Sequence, residues 1–298
     1  EEFLMAMIRS TYNGRLASLA LHNSRLQEQM GRAQLEAASG LKVMKPSDSA
    51  GQVTLLHGIR EQRANQEVFE DSAQWAYSLH LTADDALTEI SHVLSDAREL
   101  TVQMASEVLS DAQRVNAGGS AQGLFDRMLQ QLNSNLDGRH IFGGTSYDAE
   151  AYDSVTGAYL GDTDQPETQI TEAKAVATGW DGSDLLQGTG DVVAAMDNLR
   201  IALATGNATN VRAVLDDLDS AIDQVAEART VIGSDMQRAE DAMALSESMN
   251  LALARHESDI VDADAITSYT ALFEIQTAYE AALQVTAGAR TNLLFNRL

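Results

Sequence analysis

From Leu55 to Val108 small or apolar residues recur every three or four positions, and no proline interrupts them. The stripe runs through Leu55, Ile59, Gln62, Gln66, Phe69, Ala73, Ala76, His80, Ala83, Leu87, Ile90, Leu94, Ala97, Thr101, Met104 and Val108. Such a repeat fixes one helix face and predicts a continuous helix of roughly 80 Å at 1.5 Å per residue. A helix of that kind is expected to form a rod. It needs a partner of similar length, supplied by a later part of the chain or by another chain.

Matching stripes lie on both sides. Leu16, Leu19, Asn23, Leu26, Met30, Ala33 and Ala37 form a heptad seam with one polar layer, which stops at Ser39-Gly40. Pro46-Ser47-Asp48 then prevents immediate continuation. A helix expected over about 112–136 carries Ala121, Phe125, Met128, Leu132 and Leu136, and Gly118-Gly119 should loosen its first part. Val192 to Leu203 reads as a short helix stopped at Thr205-Gly206-Asn207. A long seam follows from Val214 through Leu218, Val225, Ile232, Asp235, Ala242, Met249 and His256 to Ala263. The last seam runs through Tyr269, Leu272, Gln276, Tyr279, Leu283, Thr286, Arg290 and Leu293. Many of these positions are alanine or polar, so such helices approach closely but hold weakly. The outermost ones are expected to need partner chains.

The middle of the chain differs. Residues 146–191 hold ten acids and one base, Lys174, and nine of the twenty glycines lie between Gly138 and Gly190. The β-formers Tyr152, Val155, Tyr159, Ile170, Val176 and Trp180 alternate there with turn signals. The expected fold class is mainly α: an elongated antiparallel bundle or coiled coil of the N- and C-terminal halves, with a small β-rich insert. The expected division is residues 1–45 with 262–298 as a terminal coiled coil, 46–145 with 191–261 as a helical rod, and 146–190 as an acidic outer insert. An insert so charged is expected to be solvated and dispensable for folding of the rod.

Composition excludes several functions. The 298 residues contain no cysteine, which rules out disulfides, thiolate metal sites and a cysteine nucleophile. A net charge of −24 argues against duplex nucleic acid and anionic membrane surfaces as partners. No apolar run reaches the roughly 20 residues of a membrane span. The N-terminal region has no apolar core of a secretory signal, Met7-Ile8-Arg9 reads as a natural start, and export would need another route. Catalytic patterns fail on spacing. His256-Glu257 opens a zinc-protease motif whose second histidine position is Ile260. Gly118-Gly119-Ser120-Ala121-Gln122 lacks the last glycine of a nucleophile elbow. Gly188-Thr189-Gly190 has no third glycine or basic residue for phosphate. Asp162 with Asp164, and Asp181 with Asp184, could hold calcium but read better as turn acids. Asn207-Ala208-Thr209 matches a glycosylation sequon by pattern alone. His80 and His256 fall on seams and read as satisfied interface residues. No catalytic, cofactor-binding or metal-binding residue is assigned.

Four stretches resemble the bacterial flagellin superfamily. Leu35 to Gly51, with Ser39-Gly40-Leu41 and Pro46-Ser47-Asp48, is similar to that family's N-terminal turn. Glu257 to Asp264 resembles its acidic C-terminal element, and Gln276 to Leu283 its last helix. Gly138-Arg139-His140-Ile141-Phe142-Gly143-Gly144-Thr145 closely resembles the signature of the hook–filament junction proteins within the superfamily, with His140 in place of the usual tyrosine. The resemblance implies a structural subunit of the bacterial flagellum, exported unfolded by flagellar type III secretion with a chaperone. It implies assembly as a homo-oligomeric ring between the first junction protein and filament flagellin. Leu16, Leu19, Asn23, Leu26, Met30, Tyr269, Leu272, Tyr279, Leu283 and Leu293 would then be the assembly interface. The nearest alternative is filament flagellin itself. A coiled-coil adaptor outside the flagellum, or an enzyme using His256 and Glu257, are the readings from other classes.

Overall fold

The computed structural model describes residues 2–43, 50–188 and 190–295, and the side chains of Gly14, residues 17–43, 51–188 and 190–288. Pro46-Ser47-Asp48, Thr189, Leu16, Arg290 and Leu293 therefore lie outside the residues or side chains described. Among the described residues the order is α1 (Glu2–Ser39), α2 (Ala50–Met104), α3 (Asp111–Leu132), β1 (Asn135–Leu136), β2 (Arg139–His140), β3 (Glu167–Thr171), β4 (Lys174–Ala177), α4 (Gly182–Leu186), α5 (Val192–Thr205), α6 (Ala208–Val261) and α7 (Ala265–Phe295). The protein is mainly α, with two antiparallel strand pairs, β1–β2 and β3–β4.

The chain forms two compact units: residues 64–250, and residues 1–63 with 251–298. In the first, the expected stripe of α2 is buried from Ala73 through His80, Leu87 and Ile90 to Thr101. The α6 stripe faces the same core through Val214, Leu218, Val225 and Ile232. Helices α3 and α5 complete it with Phe125, Met128, Leu132, Met196 and Leu199. Local signals set the boundaries. Ser110 and Gln113 form a capping box at the start of α3, and Gly206, at φ 68°, ends α5 where Thr205-Gly206-Asn207 predicts a stop.

Several expectations need correction. Leu55 is exposed and its neighbour Leu56 buried, while Val108 is 93% exposed in the turn after α2. Near the start of α2 the inward positions are Leu56 and Ile59, facing the part of α6 whose Glu257 pairs with Arg60 and Arg63, and Val108 lies beyond the helix end at Met104. Met249 and His256 are likewise exposed on α6. Helix α3 runs unbroken through Gly118-Gly119 but stops at Asn133, so Leu136 belongs to β1. Asn133 ends the helix because its side-chain amide pairs with the Tyr152 backbone, Nδ2 to O at 2.7 Å and Oδ1 from N at 2.8 Å. The acidic insert is also less separate than its charge suggests. Tyr152, Ala177, Trp180 and Leu186 belong to the same apolar cluster as α2, α3, α5 and α6. Ile170 and Val176 pack on Ala73 and Ala76 of α2 and Ala242 of α6. The acids occupy exposed turns while the aromatic and branched residues point inward.

Candidate functional site

Two places carry the residues singled out by sequence: the turn after α3, in the unit of residues 64–250, and the paired terminal helices of the other unit.

Asp137 and Gly138 both have positive φ, 52° and 81°, which makes the two-residue turn between β1 and β2 that a right-twisted hairpin favours. The turn presents Arg139, whose guanidinium lies 3.9 Å from the Tyr147 ring centroid and 5.2 Å from that of Trp75. His140 Nδ1 is 3.0 Å from the Asn133 carbonyl, and its backbone N–H donates to Tyr147. Ile141 and Phe142 enter the core. Their backbones are stitched to a distant segment: Trp180 N donates to Ile141 O at 3.1 Å, Gly182 N to Phe142 O at 3.2 Å, and Gly144 N to Trp180 O at 3.0 Å. Gly144 has φ 66°, and a Cβ there would fall 2.2 Å from an Asp162 carboxylate oxygen. That carboxylate accepts hydrogen bonds from Thr145 N at 2.8 Å, the Thr145 and Ser146 hydroxyls, and Asp164 N. The Thr145 hydroxyl and backbone donors hold its pKa below the ordinary carboxylate value. Asp162, weighed from sequence as a calcium ligand, is thus a staple for the signature. Asp181 similarly accepts from Ser183 and caps α4. The arrangement locks the end of α3 to the β-rich segment.

Sequence reasoning misses Arg114. Its side chain is 4% exposed and donates to the carbonyls of Met104 at 2.9 Å, Ser106 at 2.7 Å and Gly206 at 3.2 Å, and to Asp111 at 2.9 Å. One cation thereby satisfies carbonyls left over at the ends of α2 and α5.

In the other unit α1 and α7 are antiparallel, as the contacts Glu36–Ser268 and Asn23–Thr286 show. The two terminal resemblance elements meet. Gly40, at φ 71°, ends α1, and Leu41 bridges Asp262. Lys42 N donates to Val261 O at 2.8 Å and Ala263 N to Gly40 O at 2.7 Å. Asp264 accepts from Thr267 N at 2.7 Å and caps α7, and that bond lowers its pKa. Glu257, the remnant of the failed protease motif, accepts from Arg60 at 2.8 Å and Arg63 at 2.6 Å.

Of the ten expected interface residues, Leu26 is buried and Leu19, Asn23, Met30, Leu272 and Tyr279 are half-buried. Asn23 Nδ2 donates to Thr286 Oγ1 at 3.0 Å. Tyr269 and Leu283 are exposed, at 51% and 44%. The inward face of α7 is shared between the seam residues Leu272, Gln276, Tyr279 and Thr286 and the neighbouring Ser268, Ile275 and Ala282. Ile266, Phe273 and Val285 add apolar groups on outward faces. With apolar side chains around its circumference, α7 offers no clean period from which sequence could choose a face. The side chains of Leu16 and Leu293 lie outside the described residues.

Two terminal helical regions that pair with each other, separated in sequence by a β-bearing segment, fit the resemblance to flagellin-type subunits. Residues 11–147 match the family model for the bacterial flagellin N-terminal helical region, and residues 215–295 the model for the C-terminal helical region. The two together span most of the chain, which belongs to the bacterial flagellin superfamily. It is 22% identical over 280 residues to flagellar hook-associated protein 3 of Escherichia coli K12, covering 83% of this chain and 86% of that protein. The flagellin of Listeria innocua is 22% identical over 237 residues, covering 80% of each. The fold is shared with Bacillus cereus FlgL, with a TM-score of 0.60 at 20% identity over 67% of this chain and 99% of that one. Membership of this family places the chain among structural proteins of the flagellum. No helix among the described residues is long and apolar enough to cross a membrane.

Proposed function

We propose that this chain is a hook-associated subunit at the junction between hook and filament. It is exported unfolded by flagellar type III secretion with a chaperone, and assembles as a homo-oligomeric ring between the first junction protein and filament flagellin. Residues 1–45 with 262–298 form the inner tube, 46–145 with 191–261 the rod, and 146–190 the outward layer seated on it. One observation carries this reading: among the described side chains of the terminal unit, none is less than 5% exposed. A helix pair with so little enclosed surface gains its remaining burial from neighbouring subunits. The resemblance of Gly138–Thr145 to the junction-protein signature and the likeness to hook-associated protein 3 support this reading.

Filament flagellin is the second reading, favoured by the 80% coverage of the Listeria relative. Immunogold electron microscopy of native flagella separates the two. Label confined to the boundary of hook and filament is the expected result; label along the filament overturns it in favour of flagellin.

A further inference from the structure

The β3–β4 hairpin sits in an apolar seat on α2 and α6 and is tied to α2 by a polar contact inside it. Fully buried His80 places Nε2 2.8 Å from the Ala177 carbonyl oxygen. A carbonyl only accepts, so Nε2 carries the hydrogen and Nδ1 is left with a bare lone pair. That Nδ1 has no hydrogen-bond partner among the described residues. The same holds for Nε1 of Trp180, whose ring lies against the imidazole with centroids 5.1 Å apart. The contact therefore joins α2 to the last residue of β4, and a ring-on-ring contact joins α2 to the segment that carries the signature's backbone partners.

The charged groups around this seat are already engaged or turned outward. Asp235 of α6 is buried, acts on the imidazole across the seat, and pairs with Arg238 at 2.7 Å. Asp84 of α2 and Arg229 of α6 pair with each other at 2.8 Å. Asp181, next to Trp180, caps α4, and Glu167, opposite Ala177 in the strand register, is exposed. A cleft of about 430 Å³ lined by Ala177, Val231 and Asp235 opens beside the contact.

We propose that His80 is an acid-sensitive latch that holds the β3–β4 hairpin and Trp180 on α2 when neutral and releases them when protonated at Nδ1. Protonation puts a charged N–H where no acceptor faces it, in a site that has excluded water. Burial lowers the proton affinity of the folded imidazole, against smaller raising effects from the Ala177 bond and Asp235. The sign follows. Stabilisation by the neutral ring is complete above the ordinary histidine value of 6.5 and is lost as pH falls through it toward the lowered folded value. Release is confined to the hairpin and Trp180: Tyr152, Leu186 and the stripes of α2, α3, α5 and α6 keep their contacts in the main cluster.

The test uses the full chain with Trp75→Phe, which leaves Trp180 as the single tryptophan. Its emission is followed from about pH 8 to about pH 5, alongside far-ultraviolet circular dichroism. The expected result is a reversible red shift of Trp180 emission with the helical signal unchanged, abolished by His80→Gln. Glutamine can still donate to Ala177 but does not titrate. A shift that persists with the same midpoint in His80→Gln, the absence of any shift in the parent, or loss of helix at the same pH overturns the latch. Should His80→Gln not fold, nuclear magnetic resonance titration of the His80 ring in the parent decides. Coincidence with the emission shift supports the latch. A ring that titrates at the ordinary histidine value, apart from the shift, refutes it.

Discussion

The two units use similar helices to opposite effect. In residues 64–250, the stripes of α2 and α6 are covered by α3, α5 and the β-rich segment, and most of their side chains are sealed off completely. In the terminal unit the described buried side chains, Leu26, Ala33, Leu56, Ile59, Val261 and Ser268, each keep 5–9% of their surface. The difference is not apolar content, since α7 is richly apolar. It lies in the number of layers: a helix pair hides one stripe from each member, and a third layer is needed to enclose a core. In the proposed assembly, a terminal pair without that layer takes its further burial from a neighbouring subunit.

The largest effect should come from stripping the third layer off the enclosed unit. Replacing residues 146–190 by a short Gly/Ser linker removes Tyr152, Ile170, Val176 and Trp180 from the core. Truncating a single buried aromatic costs about 3–5 kcal/mol; losing Tyr152 and Trp180 together with Ile170 and Val176 is comparable to the roughly 5–15 kcal/mol of a whole domain. The expected outcome is loss of the cooperative thermal melt followed by circular dichroism. A variant that melts at the parent midpoint would make the segment an appendage, as its charge alone suggests.

Arg114→Met should weaken the same unit by about 3 kcal/mol, because the carbonyls of Met104, Ser106 and Gly206 lose their donor. Urea melts that leave the midpoint unmoved would show that solvent satisfies those groups at no cost.

Arg114 also marks where sequence reading ends. On a helix every third or fourth polar residue looks like solvated surface, and carbonyl partners leave no trace in the residue pattern. The α2 stripe from Ala73 to Thr101 was legible because one strict period met one enclosed core. Leu55 and Val108 depart from the expected stripe for different reasons: Leu56 takes the inward position beside Leu55, and Val108 lies past the end of α2 at Met104, where a helical period no longer applies. The fold class, the stop at Gly206 and the meeting of the two terminal elements follow from pattern. The inward face of α7 does not, since Tyr269 and Leu283 are as apolar as the residues that turn inward. In the acidic segment net charge misled: acids fill the turns, and Asp162 holds the signature together.

A smaller effect, confined to the terminal unit, is expected for Glu257→Gln. Its carboxylate is shared by Arg60 and Arg63, and their hydrogen bonds hold its pKa below the ordinary glutamate value. A lowered folded pKa stabilises the unit above the ordinary carboxylate range and ceases to do so as pH falls through the lowered value. The arginines are about half exposed, so solvent screens the pairs, and about 1 kcal/mol or less is at stake at neutral pH. Proteolysis rates at the chain ends should rise in the variant at pH 7 and converge with the parent under acid conditions. A difference that grows on acidification contradicts this origin.

Leu283→Arg should change folding least and assembly most. At 44% exposure the leucine hides little surface within its own chain, and an arginine there can extend its head into water. Its melt should match the parent within about 0.5 kcal/mol, the usual range for surface substitutions. In the proposed inner tube the same position meets a neighbouring subunit, and a guanidinium buried there without a partner costs several kcal/mol at every interface it enters. Cells carrying the variant should therefore release filament protein into the medium and lose motility, while the purified chain stays folded. The Tyr269→Arg variant, on a position exposed to a similar degree, should behave alike, whereas Leu26→Arg, inside the α1–α7 seam, should loosen the isolated terminal unit as well. A lowered melting midpoint for purified Leu283→Arg would place the residue in a core of its own chain. Normal motility would remove it from the contacts between chains.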